Sequence, residues 1–345
     1  MNEIRKRKEE DIELILKEGV QSRATTLLEC VKLIHNALPE LSFDEIDLST
    51  EFLGHKFSFP ILIDSMVGGS PKAKELNRNL ALAAEELGIG MGVGSQRAAL
   101  EDEGLADSYK VVREVAPNAF VMANIGAAQL KSMKKRELKK LIDMVKADAL
   151  AIHLNPLQEL IQPEGETDFR GVLEKIDEIS DLVPVIVKEV GAGISREVAI
   201  KLELAGVSAI NVAGLGGTSW AGVESLRARG VDERKEMLGE LLWDWGIPTA
   251  ASLIEVRNAV KIPVIASGGL RNGLEVAKCI ALGADMTAMA YPLLKAASKS
   301  KEEVVEFLKD RALELKAAMF LVGAKNVEEL KGARYVITGE LAEWL

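Results

Sequence analysis

Between Phe59 and Tyr291 the sequence repeats one pattern: a short apolar, β-rich run, then glycine or a polar residue, then a longer stretch of helical period. The runs read as strands are 59–64, 89–94, 119–126, 149–155, 183–191, 209–214, 263–269 and 285–291. Helical stretches follow most of them, among them KAKELNRNLALAAEEL, SREVAIKLELAG and NGLEVAKCIALG, with apolar residues at i, i+3, i+4 and i+7 and two ending at glycine. Such alternation builds βαβ units, and eight of them close a TIM (β/α)8 barrel, which takes about 250 residues on its own. A doubly wound sheet shares the periodicity, but count and length favour the barrel. The 345-residue chain is therefore read as one α/β domain: an N-terminal extension (1–58), a barrel (59–295), and a C-terminal helix and cap (296–345). In the extension TLLECVKLIHNAL reads as helical and FLGHKF as a turn, and KEEVVEFLKDRALELKAAMFLVG reads as a strong helix after the barrel.

With 48% hydrophobic and 28% charged residues and a mean hydropathy of +0.10, the chain has material for a large core. Its 43 basic and 53 acidic residues give a net charge of -10, the wrong sign for a dedicated nucleic-acid binder, so an anionic ligand must meet a local basic patch. Cys30 and Cys279 belong to no CxxC or Cys/His cluster, which fits a reducing, cytoplasmic setting without a disulfide framework. Charges interrupt every apolar run near the N-terminus, and Asp285 and Lys295 break the most apolar late stretch, so neither a signal peptide nor a membrane span is expected.

In such a barrel, ligands meet the C-terminal ends of the strands and the loops after them. Ser267-Gly268-Gly269-Leu270-Arg271, Ala290-Tyr291 and Gly214-Leu215-Gly216-Gly217-Thr218 end strands six to eight, and glycines there let backbone amides approach a phosphate. The competing reading is that they only make tight turns. Strand five ends in Lys188-Glu189, where a lysine after four apolar residues suits an anion or polar ligand atom unless it is paired to Glu189 or a neighbouring carboxylate. Gly94-Ser95-Gln96-Arg97 and Asn124 add hydroxyl, amide and guanidinium groups to the same face. Strand four carries His153-Leu154-Asn155-Pro156-Leu157-Gln158-Glu159, with His153 and Asn155 on one side of the strand. Glu159 suits a Mg2+ held through water and substrate phosphate, or is a solvated loop carboxylate; His153 is a ligand contact or a satisfied structural residue.

The strings FLGHKFSFPILIDSMVGG, MGVGSQRAAL, HLNPLQELIQPEGE, PVIVKEVGAGIS, GLGGTSW, DWGIPTA and ASGGLRNGLEVAKCIALGAD span nearly the whole chain, and together they resemble the type 2 isopentenyl-diphosphate delta-isomerase family. The resemblance implies an FMN-dependent TIM-barrel isomerase of isoprenoid biosynthesis that interconverts isopentenyl diphosphate and dimethylallyl diphosphate. It also implies Mg2+, flavin reduction by NADPH or NADH, and a homo-oligomer, tetrameric or larger. Carried over by position, Ser65, Met66, Val67, Ser95, Asn124, Lys188, Thr218, Gly269, Leu270, Arg271, Ala290 and Tyr291 are expected to contact FMN. Arg7, Lys8, Ser95, Gln96, Arg97, His153, Asn155 and Gln158 are expected to contact the prenyl diphosphate, and Glu159 the magnesium. Gln158 and His153 are the expected catalytic side chains, Gln158 through orientation or proton relay. The run Arg5 to Lys8 is expected to act as a basic arm closing over the diphosphate.

Three motifs depart from the family pattern. Asp11 stands where histidine follows the Arg-Lys pair, Val67 replaces the threonine of M-T-G-G, and Asn211-Val212-Ala213-Gly214 replaces D-x-S-G. A carboxylate at residue 11 repels a diphosphate unless it is protonated or metal-bound. The alternatives are a family paralogue with another prenyl-phosphate substrate, a flavin oxidoreductase of the α-hydroxy-acid-oxidase type, or a non-catalytic sensor. The oxidoreductase needs a His/Arg pair, but no histidine follows His153.

Overall fold

The computed structural model describes residues 3–17 and 19–345. Eight parallel strands close a barrel: β1 (Ile61–Ile63), β2 (Met91–Gly92), β3 (Val121–Gly126), β4 (Ala149–His153), β5 (Val185–Lys188), β6 (Ala209–Asn211), β7 (Val264–Ala266) and β8 (Met286–Met289). They follow in chain order, with β8 pairing back onto β1 through Thr287↔Ile61 and Met289↔Ile63. Every strand residue but His153 is buried, because helices cover the outer face and side chains fill the interior. The eight strands are those expected, but shorter: residues 189–191, 212–214 and 267–269, read as strand, lie in the loops that form the site.

Helix limits follow local chemistry. In Pro71–Leu87 the Ser70 hydroxyl accepts from the Ala73 amide, Pro71 opens the first turn, and Gly88 at φ 62° closes the last. Lys301–Val322 begins at Ser300 and stops at Gly323, φ 77°. Among the described residues no helix is long and apolar enough to cross a membrane.

The extension differs from expectation at TLLECVKLIHNAL. Residues Leu28–Cys30 make one 3-10 turn, and Val31–Leu33 form a strand antiparallel to Tyr335–Ile337. Pairing with the C-terminal segment satisfies backbone groups that a short isolated helix would satisfy less well, and Val31 is wholly buried by it. The FLGHKF turn joins the hairpin Thr50–Phe52 to His55–Phe57. Glu3–Lys17 is a helix that lies over the barrel mouth, anchored by buried Ile12 and Ile15.

Candidate active site

Two adjoining clefts occupy the C-terminal mouth of the barrel, and Ser65, Met66, Lys188, Val190 and Trp220 form the wall they share. The first encloses about 830 Å³ between β1 and the β5–β8 ends, and is lined by glycines 214, 217, 268 and 269 with Thr218, Arg271 and Tyr291. The second, about 710 Å³, is lined by Arg7, Lys8 and Asp11 of the N-terminal helix with Ser95, Arg97, Asn124, His153, Asn155, Gln158 and Glu159.

Register sets this layout. Gly126, His153, Lys188 and Asn211 are successive cross-strand partners on β3 to β6, so they sit at one level. The loops after β6 and β7 interlock: a Cβ on Gly268, φ +97°, would lie 2.1 Å from the Gly214 carbonyl oxygen, and one on Gly217 would lie 2.7 Å from the Gly269 amide nitrogen. Only glycine permits that approach, which leaves main chain rather than side chains facing the first cleft. Ala213, just before, holds φ 37°, a strained value for a residue with a Cβ.

Ser65, Met66, Val67, Lys188, Thr218, Gly269, Leu270, Arg271, Ala290 and Tyr291 line the first cleft, whereas Ser95 and Asn124 face the second. Arg7, Lys8, Arg97, His153, Asn155, Gln158 and Glu159 meet in the second. Gln96 does not. It is fully buried away from both clefts, its amide donating to the Leu141 carbonyl at 3.0 Å and its Oε1 accepting from the Asn124 amide at 3.0 Å. It pins the residue 95–97 turn to β3 and the Lys135–Val145 helix.

The second cleft is an organised polar set. Glu159 is 5% exposed, so it is no solvated loop carboxylate. Its Oε1 accepts from Asn155 Nδ2 at 3.2 Å and Gln129 Nε2 at 3.3 Å, and its Oε2 from the Glu166 amide at 2.7 Å. His153 Nδ1 lies 2.7 Å from Asn124 Oδ1. Burial, reinforced by Lys188 and Lys8, pushes its pKa down to about 3, so the imidazole is neutral here. Gln158 Nε2 donates to Glu224 Oε1 at 2.8 Å, and Arg227 Nη1 donates to Glu224 Oε2 at 2.5 Å. Burial and nearby Asp11 lift the Glu224 carboxyl to about 7.

Asp11 is drawn into this network. Its carboxylate lies 3.7 Å from Arg227 Nε, and burial raises its pKa while Lys8 and Arg227 oppose the rise. The repulsion expected between Asp11 and a diphosphate is thus offset by cations on the same wall. Arg227 also binds Glu164 at 2.8 Å, which reaches Arg7 at 3.4 Å, so one guanidinium fastens the N-terminal helix to the barrel. Arg227→Met leaves Asp11 and Glu224 buried without it, and an expected loss of about 3 kcal/mol follows. Without the guanidinium the carboxyls hold their protons to higher pH, so the loss shrinks as pH falls from about 8.5 to below about 7, where Glu224 is protonated in either protein. Chemical denaturation across that range checks it, and a pH-independent deficit would contradict it.

Several site groups carried no local sequence signal. Gln21 Oε1 accepts from Arg271 Nη2 at 2.5 Å, its Nε2 reaches Thr218 Oγ1 at 3.4 Å, and its carbonyl accepts from Trp243 Nε1 at 3.0 Å. It arrives on a strap whose Ser22 amide binds the Gly217 carbonyl at 2.7 Å. Glu224 and Trp220 come from the helix Trp220–Ala228; the GLGGTSW string marked that turn but not their roles.

The first cleft suits an anion-bearing heterocycle such as FMN. Ser65 Oγ is buried with no hydrogen-bond partner, Arg271 lies 5.6 Å over the Tyr291 ring, and main-chain groups of the glycine loops face the same space. Arg271's proton affinity is lowered by burial, a cost that a bound phosphate would offset. Among the described residues no three His, Cys, Asp or Glu side chains gather as a metal cage, so a cation at Glu159 would take its other ligands from water and substrate.

Comparison with known proteins adds the family. The family model described as FMN-dependent dehydrogenase matches residues 113–337. An isopentenyl-diphosphate delta-isomerase of Archaeoglobus fulgidus is 54% identical over 99% of this chain and 98% of its own length. One of Methanosarcina mazei is 52% identical over 100% and 95%. Solved structures with the same barrel include a (putative) lactate oxidase of Pediococcus acidilactici, TM-score 0.69 at 19% identity over 97% of this chain and 94% of that one. A mandelate oxidase has TM-score 0.67 at 19% identity, covering 95% of each chain.

Proposed function

Because the chain belongs to the FMN-dependent, type 2 isopentenyl-diphosphate delta-isomerase family, we infer that it interconverts isopentenyl diphosphate and dimethylallyl diphosphate at the barrel mouth. The observation that carries this reading is the pair of clefts sharing the Ser65–Lys188 wall, one suited to a flavin and one to a diphosphate. FMN is the cofactor of the first cleft. Bound and reduced, it would supply the acid–base group that an unactivated alkene demands.

The protein's own part is positioning and charge. Arg7, Lys8 and Arg97 would neutralise the diphosphate, as guanidinium and ammonium donors do most strongly toward phosphate oxygens. Arg97 is held meanwhile by Glu101 at 2.6 Å and Glu166 at 3.0 Å, contacts it would exchange for substrate. Glu159 would hold Mg2+ together with that diphosphate. Gln158, fixed by Glu224, would orient the isoprenyl group or relay a proton, and His153 would gain a proton once the anion offsets its burial. Excluding water from this face protects a cationic transition state. We assign the reductant as NADPH or NADH, the setting as cytoplasmic and the whole chain as one catalytic unit; exposed Val231, Met237, Leu241 and Trp245 support a homo-oligomer.

Turnover in anaerobic buffer with FMN, Mg2+ and reductant is expected, with each single omission reducing it to background. Turnover without FMN would overturn the assignment of the first cleft, and turnover without Mg2+ that of Glu159.

A further inference from the structure

Lys188 ends β5 at 5% exposure, and a buried ammonium is costly unless paired. Its Nζ donates to the Glu189 carbonyl at 2.9 Å and lies 3.5 Å from Asp64 Oδ2. The charged groups around it leave that carboxylate as its counter-charge. His153 beside it on β4 is neutral, and Lys8 on the N-terminal helix acts on His153 with the same sign as Lys188. The Glu189 side chain is turned to the amides of residues 190 to 192. Strand β6 offers the amide Asn211 and the β7 end the hydroxyl Ser267.

Asp64 follows β1 and is itself 4% exposed. Its Oδ1 accepts from the Ser65 amide at 2.8 Å and its Oδ2 from Asn211 Nδ2 at 3.3 Å; Asn211 Oδ1 accepts in turn from Ser267 Oγ at 2.6 Å. This chain of contacts crosses the mouth from β1 to β6, strands that are not neighbours in the barrel. Residue 211 is also the cross-strand partner of Lys188. We propose that Asp64 is a positioning residue, the counter-charge that holds the Lys188 amine in place on the wall of the first cleft, while Asn211 beside it is an uncharged amide. This rests on that cleft being the FMN site. A carboxylate at 211 with an amide at 64 satisfies the same donors, so charge is required on the pair of positions rather than at residue 64 alone.

The test compares wild type, Asp64→Asn and the exchange Asp64→Asn/Asn211→Asp, using thermal melting of the full chain without FMN and FMN titration by fluorescence quenching. Without Asp64 the buried Lys188 keeps the Glu189 carbonyl as a partner but loses the opposite charge that offsets its burial. Asp64→Asn is therefore expected to melt lower than wild type by about 5 °C or more. FMN affinity of the same variant is expected to be about tenfold weaker than that of wild type, because the amine is no longer held where a charge-assisted bond to the cofactor would form. The exchange variant is expected to follow wild type in both. A melting deficit with unchanged FMN affinity would overturn the proposal, as would an exchange variant no better than Asp64→Asn, including one that fails to fold. If Asp64→Asn alone does not fold, a folded exchange variant that binds FMN supports it. Wild type that takes up no FMN would count against the cofactor reading instead, and the melting comparison would still judge Asp64.

Discussion

Glu159→Gln is expected to lower kcat/KM about a thousandfold, equivalent to roughly 4 kcal/mol of transition-state stabilisation. The size follows from the donors around the carboxylate. Asn155, Gln129 and the Glu166 amide all point N–H groups at Glu159, which as an anion accepts from each and keeps lone pairs for a cation. A glutamine has one acceptor oxygen, and its amide nitrogen would face a donor. The variant thus removes a metal ligand and misdirects Asn155, which also donates to Gln158 at 3.1 Å. Steady-state rates across a Mg2+ titration check this, with flavin absorbance as control. A fully active, Mg2+-dependent variant would remove Glu159 from the metal site.

Deleting residues 1–10 is expected to raise KM by about a hundredfold or more while changing FMN affinity by no more than a few fold. Arg7 and Lys8 lie on the second cleft only, and each charge-assisted phosphate contact is worth about 1.5–3 kcal/mol. Ile15, the helix residue on the first cleft, remains. Arg227 keeps Glu224, Glu164 and Asp11, so the network that orients Gln158 survives. Unchanged kinetics would show that the N-terminal helix takes no part in binding substrate.

The fold and the chemistry draw on different comparisons. Barrels near 19% identity act on hydroxy acids by name, yet likeness at that distance concerns architecture alone. Here neither His35 nor His55 lines either cleft, and His153 is neutral and bound to Asn124. Among the described residues His153 is thus the one imidazole on the clefts, and its Nδ1 is engaged by Asn124. The same side chains, with Arg7, Lys8, Arg97 and Glu159 around them, suit a diphosphate.

The barrel was legible in the sequence because its strands, buried on both faces, appear as unbroken apolar runs such as VIVK, each followed by a helix-period stretch. Most of the site was legible too, since it occupies the polar residues at the ends of those runs. What escaped depends on distant parts of the chain. Val31–Leu33 is a strand only because residues 335–337 lie beside it. Gln96 sits in a motif but faces the Leu141 carbonyl, a direction set by a helix some 40 residues on. Gln21 and Glu224 lie in no motif, and Asp64 lies in one that did not mark its role; they matter through Arg271, Gln158 and Lys188, partners separated from them by long stretches of chain. Asp11, which looks repulsive beside a diphosphate in sequence, becomes intelligible once Arg227 is beside it.

The most direct test is anaerobic NMR in D2O of the FMN-loaded protein, reduced with dithionite and given isopentenyl diphosphate and Mg2+. Dimethylallyl diphosphate carrying deuterium from solvent is the predicted result, because the shift protonates one carbon and deprotonates another. A yellow, FMN-loaded protein that, after reduction, yields neither product nor deuterium exchange would contradict the account.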